Sequence, residues 1–279
     1  MLQIESSAAD ASRRPGAPAR LRRRLARTML NSVTGWGMIA EGDRILVALS
    51  GGKDSYTMLD LLRQARERAP VRFDLVAFHL DQAQPGYDGR ALRDWLDSSG
   101  VTFEIEHEDT YSAVIANAET DPGATYCRVC SRLRRGILYT HAERLACNKI
   151  ALGHHRDDAL ETLLMNLFYS GRLQAMPARY TTNDARFEVI RPLIECAEAD
   201  IAAHAAFAGY PILPCNLCGS QSDLKRRRVA RLLAELEQEN PDLRQVMLAA
   251  LKNVRPSHLL DAEVAEAWRQ KAEEFPPRR

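Results

Sequence analysis

Residues 45–55 read Ile-Leu-Val-Ala-Leu-Ser-Gly-Gly-Lys-Asp-Ser, an apolar run that leads directly into a polar loop with two glycines. Apolar residues bounded by turn residues predict a buried strand, and residues 56–62 carry apolar side chains at helical spacing. The glycine loop, residues 50–55, is therefore predicted at a strand-to-helix turn. Such a turn presents backbone N–H groups and the positive end of a helix to an anion, and this one adds Lys53 and two serine hydroxyls. The loop is a candidate phosphate site.

A second loop of this kind, the histidine loop (residues 153–158), reads Gly-His-His-Arg-Asp-Asp. It follows the short apolar segment 149–152 and precedes a predicted helix. Its arginine and histidines suit phosphate, and a carboxylate of Asp157 or Asp158 suits Mg²⁺. A helix N-cap is the alternative role for one of these two aspartates.

Predicted strands alternate with predicted helices along most of the chain. The strands are at 45–49, 71–80, 101–105 and 149–152, and the helices are at 19–40, 56–68, 91–98, 159–169, 197–207 and in three stretches from 222 onward. This alternation predicts an α/β fold with a parallel sheet covered on both faces, where ligands bind at the carboxyl ends of the strands. Residues 171–191, which contain glycine, proline, asparagine and aspartate, are predicted to form a mobile loop that ends in Phe-Glu-Val-Ile (187–190), and residues 191–193 follow at another strand end.

The two loops match the SGGxDS and GHxxDD motifs, and the chain resembles the PP-loop ATP pyrophosphatases, whose parallel-sheet fold is Rossmann-like (adenine nucleotide α-hydrolase-like). The resemblance implies that ATP is cut between its α- and β-phosphates. It assigns catalysis to Lys53 and Asp54, and Mg²⁺ to Asp54 together with Asp157 or Asp158. It assigns ATP binding to Ser50, Gly51, Gly52, Lys53, Asp54, Ser55, His79, Gly153, His154, Asp157 and Asp158. His79 has an alternative role as a buried core histidine.

Two CxxC pairs, Cys127/Cys130 and Cys215/Cys218, stand 85 residues apart from Cys130 to Cys215. Thiolates at this spacing can share one metal, and the first pair falls at a predicted helix start, where the helix dipole lowers a thiol pKa. A structural zinc site, a thiol–disulfide relay and an iron–sulfur cluster are all consistent with the pairs. Spacing alone does not choose between Cys215 and Cys218.

The stretches Cys-Arg-Val-Cys-Ser-Arg-Leu-Arg-Arg-Gly (127–136) and Pro-Cys-Asn-Leu-Cys-Gly-Ser-Gln (214–221), together with the two loops, resemble the TtcA family of tRNA-cytidine 2-sulfurtransferases. The similarity spans about residues 30–260. It implies ATP-dependent 2-thiolation of cytidine 32 in the tRNA anticodon loop, by adenylation of the C2 oxygen and sulfur transfer via a [4Fe–4S] cluster. It assigns the cluster and a catalytic role to Cys127, Cys130 and Cys218, with Cys215 as the alternative third ligand. The family also implies a cysteine desulfurase as sulfur donor and a homodimer.

Arginines are concentrated near the N-terminus: residues 1–30 carry seven arginines against Glu5 and Asp10. Such a segment suits a polyanionic partner, with a solvated tail as the alternative. The tRNA-binding candidates are Arg22, Arg23, Arg24, Arg132, Arg134, Arg135, Arg226 and Arg227. The apolar stripe between the arginines of residues 19–40 is predicted to pack on the core rather than on a membrane.

An apolar content of 46% and a charged content of 27% are typical of a soluble globular protein. No apolar run approaches the roughly 20 residues of a membrane span, and the first residues lack a secretory signal pattern, so a cytosolic protein is predicted. We predict three regions: an arm and basic helix (1–40), the ATP pyrophosphatase domain with the first cysteine pair (41–210), and a helical region with the second (211–279). The alternative functions are a tRNA lysidine synthetase-like ligase, which the cysteine pairs disfavour, and a non-catalytic zinc-containing nucleic-acid-binding protein, which the two loops disfavour.

Overall fold

The computed structural model describes residues 16–120, 126–213 and 221–274, with side chains except at 117–120, 126–128, 221–224 and 272–274. The chain divides into two compact units, Met1–Ala230 and Arg231–Arg279. The predicted domain bounds at residues 40 and 210 stay a prediction.

The first unit is built on a six-stranded sheet with the strand order β3-β2-β1-β4-β6-β5. The strands are β1 (Arg44–Ala48), β2 (Asp74–Asp81), β3 (Thr102–His107), β4 (Lys149–Ala151), β5 (Arg179–Thr181) and β6 (Glu188–Ile190). All neighbouring pairs are parallel except β5 and β6, which are antiparallel. The predicted α/β fold with a mainly parallel sheet is confirmed.

Helices cover both faces of this sheet, as the alternation predicted. They are α1 (Ala17–Gly35), α2 (Lys53–Arg66), α3 (Arg90–Ser99), α4 (Thr110–Thr120), α5 (Tyr126–Arg144), α6 (Arg156–Tyr169) and α7 (Glu198–Ala208), and α8 (Gln221–Glu239) follows. Ile45 and Val47 of β1 belong to one hydrophobic cluster and Leu46 to the other, because successive side chains of a strand point to opposite faces. Burial on both faces explains why β1 is continuously apolar.

The apolar stripe of α1 is part of the first cluster. Leu25 and Met29 are each 1% exposed and pack with residues of α2 and α7. The prediction that this stripe packs on the core is confirmed, and the intervening arginines lie on the outer side of the helix.

The loop predicted at 171–191 is wrong for residues 179–181, which form β5 and pair with β6 in a hairpin. The strand end predicted before Arg191 is the end of β6. Thr182 N–H donates to the Phe187 carbonyl at 2.8 Å, and Ala185 adopts a positive φ of 56° in the turn between them. Each strand has only three residues, which is too short for an alternating pattern to identify it. The sequence also did not predict helix α4.

The second unit contains the end of α8, then α9 (Leu243–Lys252), a 3-10 turn (Pro256–His258) and α10 (Ala262–Glu274). Arg244 Nε on α9 donates to Glu237 on α8 at 2.8 Å, which ties the two helices together. Over the residues that the structure describes, no helix has the length and apolar character needed to cross a membrane.

Candidate active site

A cleft of about 540 Å³ opens where β1, β4 and β6 end. It lies at the carboxyl edge of the parallel strands, where the sheet topology predicts a ligand. Its walls come from the glycine loop (Ser50, Asp54, Ser55), the histidine loop (Gly153, His154, Asp158), helix α5 and the β5–β6 hairpin. The two loops recognised in the sequence are therefore brought together around one space.

The glycine loop is held by its own hydrogen bonds. Ser55 Oγ donates to the Gly52 carbonyl at 2.9 Å and accepts from Ser50 N–H at 3.2 Å. Gly51 has a φ of +82°, and a Cβ there would stand 2.7 Å from Leu213 Cδ1. Leu213 N–H also donates to the Gly51 carbonyl at 2.9 Å. Only glycine meets both constraints, and the segment that precedes the second cysteine pair is fixed to this loop.

Gly153 of the histidine loop presses against the start of α2. A Cβ at this position would lie 3.2 Å from Ser55 N and 3.3 Å from the Asp54 carbonyl carbon. These are backbone atoms, which cannot rotate out of the way, so the close approach of the two loops requires glycine here.

We expect Gly153→Ala to separate the loops and weaken ATP binding measurably in isothermal titration calorimetry. Gly136→Ala is the matched control, because a Cβ at Gly136, exposed within α5, meets no atom within 4 Å. That control is expected to bind ATP normally and to gain about 0.5–1 kcal/mol in helix stability. Equal ATP affinities in the two variants would contradict the role of the close approach.

Lys53 lies at the N-terminus of α2 between two carboxylates. Its Nζ is 2.9 Å from Glu198 Oε1 and 3.2 Å from Asp54 Oδ2. Burial works to lower the pKa of Lys53, but the hydrogen bond to Glu198 and the charge of Asp54 outweigh it, so the pKa is raised and the ammonium stays charged. Glu198, the first residue of α7, was not predicted, because no local motif links it to a loop 145 positions away.

Asp54 is the carboxylate best placed for a cation. Its Oδ1 is buried and accepts no hydrogen bond within the described ranges, although Lys53 Nζ lies 3.1 Å away. A buried carboxylate oxygen is costly unless a cation lies beside it, and the Lys53 ammonium takes that place here. Carboxylate oxygens are also ligands that Mg²⁺ prefers, so the Asp54 carboxylate suits a Mg²⁺ ion.

The histidine loop separates the roles of its two aspartates. Asp158 lines the cleft and forms a capping box with His155 at the start of α6, where Asp158 Oδ2 accepts the His155 N–H at 3.0 Å. Asp157 is 3% exposed and accepts the Glu198 N–H at 2.8 Å, so it fastens the start of α7. The structure thus brings Asp158 towards Asp54 in the cleft, and it uses Asp157 to join two helices.

His154, which is half-buried, and Arg191, which is buried, form a pair on the floor of the cleft. Arg191 Nε donates to His154 Nδ1 at 3.3 Å, and its guanidinium stacks over the Tyr180 ring at 5.3 Å. Burial and the charge of Arg191 lower the pKa of His154 to about 4, so this imidazole is neutral and accepts. Arg191 is 8% exposed, and no carboxylate of the described residues forms a salt bridge with it.

His79 does not line this cleft. It is 3% exposed, its Nδ1 is 2.7 Å from the Leu49 carbonyl, and its Nε2 is 2.8 Å from the Tyr87 hydroxyl. Burial lowers the pKa of His79, so the neutral ring donates to Leu49 and accepts from Tyr87. These contacts favour the core histidine over a nucleotide ligand, while the bond to Leu49 supports the strand end before the glycine loop.

Helix α5 connects the first cysteine pair to the cleft. Both cysteines fall in its first turns, as predicted, and Ser131, Arg134, Arg135, Leu138 and Tyr139 line the cleft from the same helix. The far end of α5 is tied to β3, where His141 Nδ1 lies 2.6 Å from Glu104 Oε1 and Arg144 bonds to the same carboxylate. The Cys127 side chain and both Cys215 and Cys218 lie outside the described residues.

The tRNA-binding candidates occupy different surroundings. Arg134 and Arg135 line the cleft, and Arg23 and Arg132 are exposed. Arg22 lies 3.9 Å from Asp60, Arg24 pairs with Asp200, and Arg226 lies 3.4 Å from Glu161, so carboxylates offset part of their charge. Arg227 is exposed on α8. The arginines of α1 are not among the cleft residues; Arg22 instead lines a separate hollow of about 490 Å³ with Asp60 and Trp95.

Comparison with known proteins identifies a domain family and close relatives of this chain. A PP-loop domain family matches residues 20–212. A protein from Sorangium cellulosum (strain So ce56) named tRNA-cytidine(32) 2-sulfurtransferase is 55% identical over 241 residues, which are 86% of this chain and 84% of that protein. A protein of the same name from Anaeromyxobacter sp. (strain K) is 51% identical over 245 residues, 88% of this chain and 84% of that protein.

Among solved structures, the U34-tRNA thiolase NcsA from Methanococcus maripaludis with its [4Fe-4S] cluster aligns with a TM-score of 0.65. The alignment covers 95% of this chain and 83% of that chain at 20% identity. At this identity the likeness supports the fold.

Proposed function

We infer the function from the family, because the chain belongs to the tRNA-cytidine(32) 2-sulfurtransferases of the PP-loop superfamily. We propose that it uses ATP to replace the C2 oxygen of cytidine 32 in a tRNA anticodon loop with sulfur. The observation that carries this proposal is helix α5, which holds Cys130 and, from Ser131 onward, lines the cleft between the glycine and histidine loops. A sulfur site and a nucleotide site then share one helix.

The first chemical step activates the base. The C2 oxygen of cytosine is a poor leaving group, so its attack on the α-phosphate of ATP gives an O-adenylated base and releases pyrophosphate. The N–H groups of the glycine loop at the start of α2 would hold the departing pyrophosphate, and Lys53 would move from Glu198 to its oxygens. Arg191, which lines the cleft beside His154, would add positive charge near the same anion.

Magnesium has a fitting donor set in Asp54 and Asp158, both of which line the cleft. Bound there, the ion would neutralise charge on the phosphates.

Asp158→Asn is expected to raise the Mg²⁺ concentration needed for half-maximal pyrophosphate release, because it removes a charged ligand. Asp157→Asn should instead lower the free energy of unfolding by about 1–3 kcal/mol, since it weakens a buried hydrogen-bonded contact to Glu198. A magnesium titration of both variants and their urea unfolding curves test this division. A larger Mg²⁺ shift in Asp157→Asn would reverse the assignment.

The second step replaces the activated oxygen. Sulfide attacks C2, the C2–O bond breaks and AMP leaves with the oxygen. A [4Fe–4S] cluster with three cysteine ligands, when bound, supplies an iron that can hold this sulfide. Cys127 and Cys130 at the start of α5 would hold it together with Cys218; the choice of Cys218 over Cys215 remains a prediction. Arg134 and Arg135 on the next turn place positive charge between this end of α5 and the nucleotide.

The target base requires a space of its own beside the nucleotide. Enzymes that modify a loop base take it out of the stack and hold it against aromatic or apolar side chains. Tyr139, Tyr180 and Met176 belong to the apolar part of the cleft wall and suit this role. Burial raises the pKa of Tyr139 to about 12, so its phenol is neutral and donates a hydrogen bond at physiological pH.

The arginines of α1, α5 and α8 are proposed to contact tRNA phosphates. A cysteine desulfurase as donor, a homodimer and a cytosolic location complete the proposal.

Mass spectrometry of tRNA nucleosides from a strain that lacks the gene tests the function. We expect 2-thiocytidine to be absent and to return when the gene is restored. Persistence of 2-thiocytidine would refute the proposal, and loss of lysidine instead would support the ligase alternative. Iron, sulfide and zinc measured in anaerobically purified protein separate a cluster from structural zinc.

A further inference from the structure

Gln82, the residue that follows β2, contacts Cys130, one of the predicted cluster cysteines. Its Oε1 lies 3.4 Å from Cys130 Sγ and 3.4 Å from Thr110 Oγ1. It lies outside both loops and both CxxC pairs, so no sequence motif assigns it a role. We propose that Gln82 is a positioning residue for the metal site, where its amide donates an N–H···S hydrogen bond to Cys130. This inference rests on the proposed function.

The backbone on both sides of Gln82 is fixed. Its carbonyl accepts the Tyr111 N–H at 3.2 Å, which links it to the start of α4. The Asp81 carboxylate accepts the Ala83 N–H at 2.9 Å and lies 2.9 Å from His107 Nδ1. Ala83 itself has a φ of 56°, a left-handed conformation that is unfavourable for a residue with a Cβ. These bonds fix the backbone at Gln82, which is half-buried, and so restrict the direction of its side chain.

The donor and the acceptor of the hydrogen bond between Cys130 and Gln82 exchange roles when Cys130 binds a metal. As a thiol, Cys130 donates its S–H to Gln82 Oε1; as a metal ligand it has lost that proton and can only accept. A half-turn of the terminal amide brings its NH₂ group to the sulfur. Thr110, 3% exposed, can follow this turn, because its hydroxyl donates to the oxygen in one state and accepts from the nitrogen in the other.

An N–H···S bond at this place has two consequences for a bound cluster. It stabilises the more negative sulfur of the reduced form, so it raises the reduction potential. It also orients a ligand from outside the coordination shell, and loss of such a partner commonly weakens metal binding by about 10–100-fold.

Three variants test the proposal in anaerobically purified protein. Gln82→Leu removes the amide at similar size, Gln82→Glu replaces the N–H donor with a charged acceptor, and Gln84→Leu removes the same group two residues along as the matched control. The measurements are iron and sulfide content, the midpoint potential of the cluster, and the rate of iron loss to a chelator.

We expect a more negative potential in Gln82→Leu, a still more negative one in Gln82→Glu, and faster iron loss in both, by about 10-fold or more. Gln84→Leu should match the unmodified protein. If purified Gln82→Leu contains no iron although it binds ATP normally, we take this as the strongest form of the expected loss of iron. The midpoint potential of the cluster in Gln82→Glu then tests the hydrogen bond.

Unchanged potentials and iron loss in both Gln82 variants would overturn the inference and leave the proposed function intact. An unmodified protein with zinc and without iron would overturn the cluster mechanism itself, so the two failures are distinguishable.

Discussion

Lys53→Ala is expected to lower tRNA-dependent pyrophosphate release by about 10²–10³-fold, the typical cost of removing one group that stabilises developing charge. Lys53 is a residue of the glycine loop and the first residue of α2, at the positive end of the helix dipole. Its Nζ lies 2.9 Å from Glu198 Oε1. The loop keeps its shape without the ammonium, because Ser50, Gly52 and Ser55 bond to one another. The loss should therefore appear in the rate of the chemical step.

Single-turnover assays with radiolabelled ATP measure this effect. Lys271→Ala, which removes an exposed lysine of α10, is the matched control and is expected to react normally. Lys53→Arg keeps the charge and should recover part of the rate. A rate within twofold of normal in Lys53→Ala would exclude Lys53 from the adenylation step.

Cys130→Ser is expected to abolish 2-thiocytidine formation while pyrophosphate release continues. The serine hydroxyl is a poor ligand for iron at neutral pH, whereas the nucleotide is held by the two loops on the other side of the cleft. This variant should therefore adenylate tRNA without thiolating it. The activated base should either accumulate or be hydrolysed back to cytidine.

The control for this variant is Cys147→Ser. Cys147 is 3% exposed in the second hydrophobic cluster, and burial raises its pKa, so it is an inert thiol. Its replacement should cost about 1–3 kcal/mol of stability and leave thiolation intact at a permissive temperature. Nucleoside mass spectrometry and phosphate-release assays on both proteins give the comparison. Continued thiolation by Cys130→Ser would refute the assignment of this ligand.

The sequence predicted those features of the site that lie within short continuous motifs. The glycine loop and the histidine loop each join a strand to a helix within six residues, so local spacing carries their geometry. Their meeting at Gly153 follows from the parallel pairing of β1 and β4. The alternation of strands and helices predicted a parallel sheet, but not which strands are neighbours.

The remaining features depend on contacts between distant segments. Glu198 reaches Lys53, and Tyr180 reaches Arg191, only after the sheet has formed. The choice between Asp157 and Asp158 rests on which of them meets the N–H at the start of α7. The role of His79 rests on its bonds to Leu49 and Tyr87. None of these partners has a fixed offset in the chain, so spacing could not identify them.

Helix α5 also limits which insertions and deletions this enzyme can tolerate. An α-helix turns by about 100° per residue, so one residue added between Cys130 and Arg134 would rotate the cleft-lining arginines and Tyr139 a quarter of the way round the helix axis. The cysteines would still have their spacing and the arginines theirs, yet the two groups would face different directions. The number of residues between Cys130 and the cleft-lining arginines is therefore fixed by the geometry of the helix.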